Sequence, residues 1–361
     1  MRRTTIVRLR VQRQFMGSAL GIALCLMLAG RVAAQDTQSV DNHAEYIPAI
    51  SGGIGYIQNV NGGVTSLEPQ INPILLVPFG PHVLLESRTD FTGFFQRQNL
   101  TSGPFTGKVF KTVEFAQVDW LANTHVIATA GRYLLPFGLY NERLEPLWIR
   151  NLQDAPITAT IGTLTSGSGD GFMLRGVAVQ EPSYSVQYSA YFSAKSDINQ
   201  LSAARVAGGD ASVYLPNACL EIGTSYQRFL QGHNINSVAT YLSWEPSTPV
   251  DIKAEGDYSY NGRGYWLESS YRFQQSAVPS IFRRTQLVGR VQQFFPSNGG
   301  GNSLPRVNTQ RFDAGLNYYV RDDLRFVSSY GRSLSSQGNA NVWNVGFTYR
   351  FLFPLWAGKT K

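Results

Sequence analysis

The sequence predicts an all-β protein: a transmembrane antiparallel β-barrel of about 16 strands with a long, inward-folded third loop. Three observations carry that expectation. Apolar and polar residues alternate with period two from about residue 50 onward in the 361-residue chain. Charges sit on the polar face of nearly every such segment, and aromatics gather near segment ends, as suits a sheet between lipid and water. Short turns alternate with longer polar connections. A sheet in hydrocarbon must pair all its backbone groups, so it must close on itself.

The last segment shows the alternation best. Trp343, Val345, Phe347, Tyr349 and Phe351 share one face, against Asn344, Gly346, Thr348 and Arg350 on the other. Phe312, Ala314, Leu316 and Tyr318 alternate with Arg311, Asp313, Gly315 and Asn317. Strands are expected near 49–59, 64–77, 82–95, 109–121, 125–135, 170–180, 183–194, 203–215, 218–229, 235–245, 249–260, 263–275, 284–295, 309–320, 323–332 and 341–353. Two places strain the pattern. Pro69 and Pro73 fall inside the second strand, where they remove ladder donors. The fourth, near 109–121, alternates poorly. The termini are expected on the short-turn, periplasmic side. Gln96–Lys108, Lys195–Ser202 and Pro296–Asn308 read as long loops.

Charge and export point the same way. The formal charge is +7, from 31 basic and 24 acidic residues. Six of the arginines, Arg2 to Arg31, lie in the first 34 residues, which hold no acid. Met16–Ala29 is a short apolar run, followed by small residues at Val32-Ala33-Ala34. That is the layout of a secretory signal peptide. Its removal leaves a nearly neutral chain and takes away the argument for a nucleic-acid partner. The expected organisation is a signal peptide at 1–34, a periplasmic lead at 35–48, the barrel at 49–353 and a tail at 354–361. The exported part keeps one cysteine, Cys219, so no internal disulfide is expected; the thiol reads as buried or lipid-facing.

The connection from about Pro136 to Gly169 is the outlier, because loops of that length in compact folds are usually functional. It carries an apolar cluster, Leu144, Leu147, Trp148, Ile149 and Leu152, that needs burial. Glu142, Arg143, Glu145, Arg150 and Asp154 are interspersed and are expected to form a pore constriction. Arg88, Arg132, Arg175, Arg290 and Arg325 are the expected pore-wall charges, facing the acidic loop. Alternatively, each arginine pairs with a wall acid such as Glu86, Glu255 or Glu268. No catalytic residue, metal site or cofactor is expected: the histidines and cysteines lack metal-ligand spacing, and nucleophile and phosphate-loop motifs are missing from the sequence.

Gly131-Arg132-Tyr133-Leu134-Leu135-Pro136-Phe137-Gly138 resembles the Gly-Arg…Pro-Phe-Gly segment of the phosphate-selective porin O and P family. Gly346-Phe347-Thr348-Tyr349-Arg350-Phe351 resembles the C-terminal signal read by the barrel-assembly machinery, although ten residues follow Phe351. The resemblance implies an outer-membrane porin: outer-membrane lipid around it, small hydrophilic solutes or ions passing by diffusion, and a homotrimer. Members of that family use lysine clusters, whereas this chain has six lysines in all. Two other classes fit the alternation less well: a secreted β-sheet protein binding a ligand such as carbohydrate, and an outer-membrane barrel lipase.

Overall fold

A computed structural model describes residues 46–97, 103–159, 167–194, 205–230, 236–247, 249–273, 279, 281–297 and 304–355. The expected signal peptide, most of the N-terminal lead and most of the C-terminal tail lie outside the described residues, as do the tips of several connections.

Sixteen antiparallel strands form one closed barrel. They are β1 (Ala49–Asn61), β2 (Val64–Phe79), β3 (Val83–Arg97), β4 (Phe105–Leu121), β5 (Ile127–Leu134), β6 (Ser168–Gln180), β7 (Ser185–Ala194) and β8 (Val206–Leu215). There follow β9 (Leu220–Phe229), β10 (Asn236–Ser247), β11 (Val250–Ser259), β12 (Gly262–Arg272), β13 (Thr285–Pro296), β14 (Thr309–Tyr319), β15 (Leu324–Ser335) and β16 (Gly338–Pro354). Each pairs with its sequence neighbours, and β1 closes on β16 from Ala49↔Pro354 to Asn61↔Val342. Both chain ends of the barrel therefore lie at one rim. The only α-helical turn among the described residues is α1 (Tyr140–Arg143), between β5 and β6.

Burial is inverted relative to a water-soluble domain. Along β14, Asp313 and Asn317 are buried while Phe312 and Leu316 are exposed. Gln227, Asn317 and Asn344 are at most 2% exposed, whereas Phe172 is 70% and Trp343 54% exposed. The inner face is thus the polar one. The outer face is an apolar band, which water does not favour and lipid does. Leu316→Arg on that band is expected to cost about 2–4 kcal/mol near the bilayer midplane, read by equilibrium unfolding in lipid vesicles. Unchanged stability would place that face in water.

Both strained places have a local cause. In β2 the ladder to β3 lapses at Glu68–Pro69 and at Asn72–Pro73 without changing register. Pro69 and Pro73 keep their places opposite Tyr56 and Gly52 on the β1 side. In β4 the register against β3 slips between Arg88↔Phe115 and Thr89↔Val113. The extra residue, Glu114, reverses the phase of alternation, as a bulge does. One expected loop is shorter than the sequence suggests. Within Gln96–Lys108, pairing continues as far as Arg97↔Phe105, so strand replaces both ends of it.

Cys219 is half-buried in the tight turn between β8 and β9, not on the lipid-facing band. Its backbone is left-handed, φ 49°, and its thiol lies 3.5 Å from the Pro216 carbonyl.

Candidate functional site

The segment leaving β5 builds the candidate site, and glycines set its course. Gly131 has φ 120°, and a Cβ there would come within 2.5 Å of the Ala116 carbonyl oxygen. Gly138 has φ 67°, and a Cβ there would meet the Glu255 carboxylate. Only glycine suits such positions. Between them, Tyr133 and Leu135 join a buried cluster with Met173, Tyr191, Val206 and Phe229 on the inner face. Phe137 joins a second, with Ala239, Phe294 and Leu304. The Gly-Arg…Pro-Phe-Gly stretch is therefore where the chain turns off the wall.

Asn141 closes the base of the segment. Its Nδ2 donates to the Leu135 and Gly167 carbonyls, both at 2.7 Å, and the Leu135 amide donates to Gly167 O at 2.8 Å. Gly138 N donates to Ser225 Oγ at 3.0 Å, and Leu139 N donates to the Glu255 carboxylate.

Each charged residue expected in the constriction finds a partner. Glu142 accepts from Arg175 at 2.7 Å. Arg143 donates to Glu221 at 2.7 Å and sits over the Tyr241 ring, 5.5 Å from its centroid. Burial opposes the Arg143 charge, but the adjacent Glu221 carboxylate outweighs it and holds the guanidinium above the ordinary arginine range. Glu145 pairs with Arg88. Arg150 donates to Tyr140 Oη at 3.2 Å and to the Gln153 carbonyl at 2.9 Å. Burial pushes the Tyr140 phenol up, keeping it a neutral hydroxyl. Asp154 pairs with Arg311 and accepts from Asn344 at 3.1 Å.

The expected wall arginines divide by what they hold. Arg88 and Arg175 grip acids of the segment. Arg290 donates to the Asp154 carbonyl at 2.9 Å, and Arg325 to the Leu147 and Arg150 carbonyls at 3.0 and 2.6 Å. Arg132 pairs instead with Asp170, at the start of β6, at 3.2 Å. The alternative pairing with wall acids also occurs: Arg290 lies 3.7 Å from Glu268 and 3.3 Å from Asp313. An acidic loop facing a basic wall across open space is thus replaced by direct ion pairs.

The apolar residues do not gather into one cluster. Three of them dock separately over glycines, and a fourth packs against larger side chains. Leu147 packs over Gly55 and Trp148 over Gly53, both on β1, and Leu152 over Gly315 on β14. Leu144 packs against Leu139, Tyr241 and Trp266. A Cβ at Gly53 would fall 2.2 Å from the Trp148 ring. Gly53→Val is therefore expected to dislodge Trp148 and speed trypsin cleavage after Arg150. An unchanged cleavage rate would mean the indole does not anchor the segment.

Sequence reasoning missed Arg311, Glu221, Asn317, Asn344 and Gln292 as partners. Asn317 donates to Asn151 O at 2.8 Å, and Ile157 N donates to Gln292 at 2.8 Å. All five occupy the polar parity of their strands, which is the one signal they carry.

No protein-family model matches the chain, and no curated protein sequence does. Solved structures do. Pseudomonas putida OprB at low pH matches with TM-score 0.57 at 9% identity, over 85% of this chain and 93% of that one. An anion-selective porin from Comamonas acidovorans matches with TM-score 0.54 at 9% identity, over 84% and 99%. A loop-deletion mutant of OmpT, an outer membrane protein of Vibrio cholerae, matches with TM-score 0.54 at 11% identity, over 84% and 99%. The fold is that of the bacterial porins. At such identities the likeness speaks for architecture alone.

Proposed function

We propose that this chain is an outer-membrane porin-type channel, passing small hydrophilic solutes or ions by diffusion, with residues 136–169 as its constriction. One observation carries the reading. The same segment is bonded to the inner polar face on opposite sides of the ring: to Arg88 on β3 and Arg175 on β6, and to Arg290 on β13 and Arg311 on β14. A segment tied on both sides reduces the free cross-section between them. Radius and charge at that level then govern what passes.

The outer apolar band and the inner polar face support an outer-membrane location, with the chain ends on the periplasmic side and the barrel-assembly machinery as insertion partner. The chemistry is read as non-enzymatic. A trimer remains the assembly that the porin likeness favours. Within porins, the 131–138 segment leans toward the phosphate-selective O and P group. The arginines that would form an anion path are occupied by carboxylates of the segment and the wall and by segment carbonyls, which argues against strong phosphate selectivity.

Pure protein in a planar bilayer is expected to give stepwise openings of small conductance, with a folded band on a gel that shifts on heating. A bilayer that stays silent while the folded band is present would refute the channel.

A further inference from the structure

Two carboxylates on the inner face of β11 lack a counter-charge. Glu255 and Asp257 are two residues apart, share the inner parity of the strand and are both buried. Neither forms an ion pair among the described residues. The arginines around them are committed elsewhere. Arg143, over the ring of Tyr241, which is paired with Glu255, is held by Glu221; Arg290 on β13 is held by Glu268 and Asp313. A buried pair of like charges is costly unless a cation compensates it.

The long segment brings a further oxygen to the same place. At its start, Gly138 lies against the Glu255 carboxylate, and Leu139 N donates to one of its oxygens. Near its end, Thr158 packs over Gly264 of β12, and Gly264 is paired with Asp257. The Thr158 hydroxyl and the Glu255 carboxylate are thus both within reach of the Asp257 carboxylate. Asp257 is 4% exposed and Thr158 1%. Neither Asp257 oxygen, nor Thr158 Oγ1, meets hydrogen-bond geometry with any protein atom. Buried polar atoms are normally satisfied. Three buried oxygens that converge without a donor point to a ligand that takes oxygen alone. Histidine and cysteine spacing could not reveal such a set.

We propose that Glu255, Asp257 and Thr158 bind a calcium ion that fastens both ends of the segment to β11. One doubly charged ion neutralises both carboxylates, and calcium accepts an all-oxygen set, completed by water, in flexible geometry. The site goes beyond the channel reading and needs only the fold.

The test uses full-length protein in detergent at neutral pH, stripped of divalent ions with a chelator that is then removed. Calcium chloride alone is the probe. Titration calorimetry is expected to find one saturable calcium site, and calcium is expected to raise the midpoint of heat-shifted migration, because it binds the folded state. Asp257→Asn is expected to weaken binding at least about tenfold and to abolish that rise. Thr158→Val is expected to weaken binding several-fold. Asp257→Asn also removes one of two like charges, so without calcium its midpoint is expected to be no lower than that of wild type; a lost signal then does not mean a lost fold. Glu86→Gln, at another buried carboxylate of the inner face, is expected to bind as wild type does. Wild-type protein that takes up no calcium would overturn the proposal. So would wild-type-like binding by Asp257→Asn or Thr158→Val, or an equal loss in Glu86→Gln, which marks diffuse attraction to the lumen. Calcium binding beside a silent bilayer would touch only the channel reading.

Discussion

Deleting residues 142–157 is expected to raise single-channel conductance several-fold. The deletion keeps Asn141, which ties both ends of the segment through the Leu135 and Gly167 carbonyls. It removes Glu142, Glu145 and Asp154, the partners of Arg175, Arg88 and Arg311. It also removes Trp148 and Leu152 from over Gly53 and Gly315. The barrel itself is closed by strand pairing that does not involve the segment, so the variant is expected to fold. Three wall arginines then lose their segment carboxylates, and the reversal potential in a salt gradient is expected to move toward anions. An unchanged conductance would mean that solute passes beside the segment and that the narrowest point lies elsewhere.

Arg88→Ala is expected to destabilise the protein by about 3–5 kcal/mol, the usual result of removing one member of a buried ion pair. The Arg88 side chain is 2% exposed and holds Asp90 at 3.1 Å as well as Glu145. Loss of the guanidinium strands two carboxylates side by side, with Glu114 close by. Adding Glu145→Gln is expected to recover a large part of the loss, because it removes one of the stranded charges. The heat-shift midpoint on gels reads the series. The exposed Arg332 supplies the contrast: its replacement by alanine is expected to move the midpoint little. A loss at Arg88 no larger than at Arg332 would show that the Arg88 pairs contribute no stability.

The barrel was legible in the sequence because a strand between lipid and water writes its two faces into alternate residues. β14 and β16 show this almost residue by residue. Where the reading faltered, a backbone event explains it. Glu114 adds one residue to β4 and inverts the alternation beyond it. Pro69 and Pro73 are tolerated in β2 because pairing to β3 lapses beside them while pairing to β1 continues. The extension of β3 and β4 was missed because the residues from Thr106 to Lys111 are exposed and lack a clean two-sided pattern.

The site was legible in part. Charge and apolar content marked residues 136–169 as a segment needing partners, and they marked the arginines of the polar parity as candidates. Which partner meets which residue is set by long-range geometry. Asp154 and Arg311 are 157 positions apart, and no local pattern links them. The docking of Leu147, Trp148 and Leu152 over glycines was likewise hidden, because a glycine on the inner face reads in sequence as a weak strand residue and not as a receiving surface.

The central claim is that the segment spans the inside of the barrel and is tied to its wall. The most direct test introduces Leu152→Cys and Gly315→Cys in a Cys219→Ser background and treats folded protein in lipid vesicles with a short bis-maleimide, which adds one thiol at each end. Leu152 packs directly over Gly315, with its Cδ2 atom 2.5 Å from where a Cβ would stand. Intact-mass measurement is expected to find one linker joining the two thiols in most molecules, with channel openings no larger than those of the untreated protein. Two thiols modified separately, with no bridge, would contradict a segment held against β14 inside the barrel.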